Sequence, residues 1–169
     1  MKIESLSYVS IETTDLQEWD DYAKNIVGLM KNESLSNDHN LYLRMDEKAF
    51  RFHIQTGGSK KFIAAGLNIR GKEEFEVAKN ELTSANIEFA DFSDELIAAR
   101  CVKNGITLKD PAGNVLEISY GGADADEPFL SPQDIKGFIT KGLGFGHVVF
   151  AAPDLEVAHN FYIDTLGFG

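Results

Sequence analysis

The sequence predicts an α+β protein made of paired β-α-β-β-β modules, with a third module only begun. Three observations carry this reading. The first is an echo at fixed distance. Shifted by 139 positions, Tyr8 falls on His147, Val9 on Val148, Ile11 on Phe150, Asp15 on Asp154, Leu16 on Leu155, Tyr22 on Phe161, Val27 on Leu166, Gly28 on Gly167 and Leu29 on Phe168, without a gap. A fixed period of this kind marks repeated units. The second is the passage from strand-like to helix-like periodicity and back, which occurs in the first third of the chain and again from Phe62 to Tyr120. The third is Asp110-Pro111-Ala112-Gly113-Asn114, where proline presets φ and glycine or asparagine accepts φ > 0, so that two strands meet in a hairpin.

Taken in order, residues 5–12 read as a strand, with Leu6, Tyr8, Val9 and Ile11 apolar. Thr14 or Asp15 caps a helix, and Glu18 stands three residues after Asp15 as in a capping box. Leu16, Trp19, Tyr22, Ala23 and Ile26 recur at helical spacing, and Gly28 ends the helix. Strands follow at 29–35, 41–45 and 50–54, the last two separated from the first by the turn Asn37-Asp38-His39-Asn40. The second unit repeats the plan: a strand over 62–69, and a helix over 72–85 with Phe75, Ala78, Leu82 and Ala85 on one face. A short strand at 87–90, a helical turn over 94–100, and strands over 106–109 and 115–120 complete it. Residues 122–144 are acidic and rich in glycine and proline, and read as a linker. A strand over 145–151 and a helix begun by Pro153 or Asp154, ended by Gly167, open the third unit. The expected domains are therefore 1–121, the linker 122–144 and the incomplete start 145–169.

The 169 residues are enough for one full domain and part of another, and 43% hydrophobic with 25% charged is ordinary for a globular chain. A formal net charge of −11 argues against binding nucleic acid or an anionic membrane through a general field. Cys101 is the single cysteine, so no disulfide can close within the chain, and a cytoplasmic location is expected. No apolar run reaches the length of a membrane span, and the first residues carry no signal-peptide pattern.

Two β-α-β-β-β units followed by a third that begins with a histidine resemble the vicinal oxygen chelate superfamily. Within it, the chain is similar to the N-terminal half of type I extradiol ring-cleavage dioxygenases, which open catechols of the 2,3-dihydroxybiphenyl type. The resemblance covers the whole chain. It is carried by Asp110-Pro111-Ala112-Gly113-Asn114-Val115-Leu116-Glu117-Ile118-Ser119-Tyr120-Gly121, by Glu127-Pro128-Phe129-Leu130, and by Gly142-Leu143-Gly144-Phe145-Gly146-His147-Val148-Val149, in that order. It implies a metal-free N-terminal domain. It further implies Fe(2+) in a 2-His-1-carboxylate face of the C-terminal half, with open positions for both catechol oxygens and dioxygen.

On that resemblance His147 matches the first iron ligand, and Val149, two residues along the same strand, matches a position lining the catechol pocket. The second histidine, the carboxylate ligand and the acid-base histidine lie beyond Gly169, so no catalytic residue is assigned within the chain. Glu117 corresponds to the carboxylate ligand of the other half, but its partners here would be Tyr8 and a residue near Gly66. It is read as a relic that makes a hydrogen bond or salt bridge. His53 is expected to be structural, His39 and His159 solvated, Tyr8 part of the core, and Cys101 a small buried hydrophobe. The expected partners are a small catechol and dioxygen for the full-length protein, and self-association through residues 145–169, whose apolar side chains lack a second pair of units to cover them. The contrasting reading is a free-standing, non-catalytic module of the same fold that binds a small molecule or serves structurally.

Overall fold

The computed structural model describes residues 1–140 and 143–168. Gly142, part of the third motif above, and Gly169, the end of the stretch 145–169, lie outside them. The described residues form two compact units. One is Ser7–Ala64 with Ala123–Gly146, the other Met1–Leu6, Ala65–Gly122 and His147–Gly169.

In the first unit, β1 (Ile3–Thr13) leads to α1 (Leu16–Tyr22), then to β2 (Met30–Lys31), β3 (Asn40–Arg44) and β4 (Phe52–Thr56), with strand order β2-β3-β4-β1. β3 and β4 are antiparallel, while β1 runs parallel to β4 with Ser10 opposite His53. Asp15 caps α1 by accepting the Glu18 N–H at 3.0 Å. The helix then loosens into a π-turn, Ala23–Val27, and Gly28 closes it at φ 83°. Leu16 and Trp19 pack with Ala23, Leu29, Leu41, Leu43 and Ile54 into one apolar core, as the helical spacing requires.

The strand expected over 29–35 is cut to Met30–Lys31. The cause is Asn32, whose side-chain oxygen accepts from the Ser34 and Leu35 N–H groups and the Ser34 hydroxyl, while its amide donates to the Ala49 carbonyl at 2.9 Å. A short polar side chain that captures nearby backbone competes with the sheet ladder.

The stretch after residue 122 is held to this unit at several points. Ala49 N–H donates to the Ala123 carbonyl, Arg44 Nη2 to the Glu127 carbonyl at 2.8 Å, and Ser131 Oγ to the Gly28 carbonyl at 2.8 Å. Phe138 packs on the apolar core, and Phe145 sits edge-on to Phe52.

The second unit holds β5 (Lys61–Ile69, from Ala65 onward), α2 (Lys72–Ser84), β6 (Phe89–Asp91), α3 (Asp94–Arg100), β7 (Asn104–Lys109) and β8 (Val115–Tyr120), in strand order β5-β8-β7-β6. Phe75, Ala78 and Leu82 of α2 are buried, whereas Ala85 is the exposed C-cap rather than part of the apolar face. Ser93 caps α3 by accepting the Leu96 N–H, and Cys101 ends it in the left-handed region at φ 51°.

The strand expected over 145–151 is not formed; these residues join no ladder. The helix does form, as α4 (Leu155–His159) followed by a π-turn, Asn160–Thr165. Here two hydrogen bonds of the echo recur, although the Gly28 N–H goes to the Ala23 carbonyl and the Gly167 N–H to that of Ile163. Asp154 accepts the Val157 N–H at 3.0 Å as Asp15 accepts that of Glu18. Phe168 N–H donates to the Tyr162 carbonyl at 3.0 Å as Leu29 donates to Ala23 at 2.9 Å, and Gly167 adopts φ 74° where Gly28 adopts 83°.

Candidate functional site

Glu117 lies in the middle of β8, opposite Gly66 of β5 on one side and Thr107 of β7 on the other. Its side chain is buried. Arg100, the last residue of α3, reaches it with Nε 2.6 Å from Oε2 and Nη2 3.0 Å from Oε1. This two-pronged contact neutralises the carboxylate where water cannot. The α3 turn puts Arg100 there, and the left-handed residue Cys101 brings the chain back into β7. The Cys101 thiol is half-buried, and burial pushes its pKa up against the opposing pull of the Arg100 charge, which is not the setting of a reactive thiolate.

Tyr8, the counterpart of His147, is 2% exposed, and its ring centroid lies 5.0 Å from that of Phe50. Within their own units, Tyr8 is thus an aromatic ring packed in the core and Glu117 a carboxylate already paired with a guanidinium. Among the described residues no three His, Cys, Asp or Glu side chains converge on a common point.

His147 is exposed, as is Val149 at 84%. Both stand in the extended segment before α4, with Gly146 at φ 116° just ahead of them. What the fold does fix is the helix behind it. Phe161 and Leu166 are buried, and the Tyr162 hydroxyl donates to Asp110 Oδ2 at 2.8 Å. Burial first, then the hydrogen bond and charge of Asp110, push the Tyr162 phenol well above its usual range. A cleft of about 650 Å³ runs beside this contact, lined by Phe89, Leu108, Pro111 and Phe161 among others.

One cluster was not legible in the sequence. His53 is buried on β4 with Nδ1 3.0 Å from Ser10 Oγ and Nε2 2.8 Å from Asn40 Oδ1, and it stacks on Tyr42 with centroids 4.6 Å apart. Ser10 is 0% exposed, so this Ser-His-Asn row has no face toward a substrate. Only the parallel β1–β4 register puts Ser10 beside His53, and that register is not written in local periodicity. His39 and His159 are exposed.

Comparison with known proteins places these features in a family setting. Residues 6–57 match the model of the first domain of dihydroxybiphenyl dioxygenase BphC. The chain is 36% identical over 169 residues to biphenyl-2,3-diol 1,2-dioxygenase of Pseudomonas sp. (strain KKS102), covering 99% of this chain and 57% of that protein. It is 34% identical to the iron-dependent extradiol dioxygenase of Rhodococcus jostii (strain RHA1), covering 99% of this chain and 55% of the relative. A solved catechol 2,3-dioxygenase superposes with a TM-score of 0.90 at 32% identity, over 96% of this chain and 57% of the other. The fold is accordingly the paired-module α+β fold of the vicinal oxygen chelate proteins, and the chain is a homologue of extradiol dioxygenases. It spans about half the length of the curated relatives it matches.

Proposed function

We propose that this homologue of the extradiol dioxygenases is the front half of an enzyme that opens catechols of the 2,3-dihydroxybiphenyl type, and that by itself it is inactive. The observation that carries the reading is the repeated helix start at residues 154–168, where the N-cap bond of residues 15–29 and the closing bond of Leu29 to Ala23 recur. A third module begun at this point, with histidine where the first module has Tyr8, fits a second pair of modules that completes an iron site. His147 is then the first ligand, and Val149 lines the catechol pocket beside it. The metal is ferrous iron, which supplies adjacent positions for the two catechol oxygens and dioxygen.

This chain's own contribution is architectural. Glu117 and Arg100 form a buried ion pair within the second module, and that module supports the helix that follows His147. A single imidazole cannot complete a three-ligand face, so ring cleavage waits on residues supplied from elsewhere. A reducing compartment such as the cytoplasm suits a chain with one thiol. Self-association is also part of the reading, because Val149 and Leu155 are 84% and 79% exposed. Phe161 and Leu166, by contrast, are already covered within the chain, so any such contact involves the extended segment and the outer face of α4. The coding sequence after Gly169 tests the reading: a further β-α-β-β-β pair with a histidine and a glutamate in the expected strands supports it, and an unrelated continuation refutes it.

A further inference from the structure

We infer that Tyr162 is a positioning residue: through its hydrogen bond to Asp110 it fastens the helix that follows His147 to the β7–β8 turn, and so sets where the third module starts. The inference rests on the reading of residues 145–168 as the beginning of that module.

Asp110 is well suited to hold another element because it is itself immobilised. Its Oδ1 accepts the Ala112 N–H at 2.9 Å and the Asn114 N–H at 2.7 Å, and its Oδ2 accepts the Asn114 amide at 2.8 Å. Tyr162 takes the remaining approach to Oδ2, also at 2.8 Å. The phenol therefore meets a carboxylate whose orientation is set by the turn before the helix arrives. A charge-assisted bond to a fixed acceptor is directional in a way that the neighbouring contacts of Phe161 and Leu166 are not. The tyrosine ring is itself held edge-on between Phe161 and Phe168, with centroids at 5.2 and 5.8 Å.

The internal echo sharpens the point. The first module carries Ala23 at the position of Tyr162, and Ala23 is simply part of that module's core. Helix α1 has its own strands to pack on. Helix α4 has none among the described residues, and a hydroxyl appears at the equivalent site. The first module also has a matching carboxylate. Asp46, in the β3–β4 turn, accepts the Lys48 N–H as Asp110 accepts that of Ala112.

The experiment is amide hydrogen exchange on the 169-residue chain and its Tyr162→Phe variant, which keeps the ring and removes only the hydroxyl. Losing a hydrogen bond to a charged group should speed exchange of residues 155–168 by about tenfold or more. Strands β5, β7 and β8 should be unchanged, which also reports that the variant folds. A second variant, Asp110→Ser, retains an oxygen for the turn. In it, the alkaline titration of the Tyr162 phenol, read by ultraviolet difference against Tyr162→Phe, should fall toward the ordinary tyrosine value of about 10. Packing alone would not move that titration. Equal exchange in the two chains, an unprotected helix in the unaltered chain, or a phenol indifferent to Asp110→Ser overturns the inference. Neither measurement uses catechol, iron or oxygen, so failure here leaves the dioxygenase reading intact, and failure of that reading leaves these results unaltered.

Discussion

Arg100 Nε stands 2.6 Å from Glu117 Oε2, and both side chains are only 4% exposed. The Glu117 carboxylate is thus engaged by a guanidinium from the same unit. Replacing Arg100 with methionine leaves that carboxylate buried without its cationic partner. The expected loss is about 3–5 kcal/mol in urea unfolding, whereas Arg100→Met combined with Glu117→Leu should recover most of it. A single Arg100→Met change that leaves the midpoint where it was would mean the pair does not stabilise its unit.

Acid should weaken the first unit through Asp46. Burial, the largest influence, works to raise its pKa, but the hydrogen bonds and charge of Arg51, with Thr140 and the Lys48 N–H, together hold it below the ordinary value. A depressed folded pKa stabilises the protein above the ordinary carboxylate value near 3.8. That contribution disappears as the pH falls from there through the folded value. Urea midpoints measured from pH 7 down to pH 3 should decline, and Asp46→Asn should flatten the acid limb while lowering the plateau. An unchanged acid limb in the variant would assign the decline to other carboxylates.

Gly28 should tolerate no side chain. At φ 83° an alanine is disfavoured by about 1–2 kcal/mol, and its Cβ would stand 2.9 Å from Ser131 Oγ. Gly28→Ala is expected to destabilise the chain by at least about 1 kcal/mol in chemical denaturation. A neutral effect would show that the Gly28–Ser131 approach relaxes freely.

Self-association should depend on the outer face of α4. Light scattering of the 169-residue chain across a concentration series is expected to show a rising mass. Leu155→Glu should remove that rise without changing the circular dichroism spectrum. A constant monomer mass in the unaltered chain would leave the exposed Val149 and Leu155 without a role between copies.

Much of this was legible in the sequence because it is local. Asp15, Gly28, Ser93 and the Asp110–Asn114 turn each announce a boundary by their own backbone preferences, and the elements fall within a few residues of where those signals put them. The α2 face was legible for the same reason, since Phe75, Ala78 and Leu82 share one side by helical period alone. What was not legible depends on neighbours. Asn32 ends β2 through a side chain that finds Ala49, seventeen residues on. Ser10 meets His53 only through the β1–β4 register. Arg100 gave no periodic signal, yet it determines the state of Glu117. The segment at 145–151 reads as a strand by composition, yet none of its residues is assigned to one.

The central claim is that this chain contributes one ligand position to an iron site that it cannot complete. The direct measurement is anaerobic titration of the 169-residue chain with ferrous iron, followed by 2,3-dihydroxybiphenyl and oxygen. The account predicts no saturable one-to-one binding that survives a chelator, and no yellow ring-fission product. A stoichiometric iron site abolished by His147→Ala, with turnover on the order of 1 per second or faster as in ordinary enzymes, would contradict it.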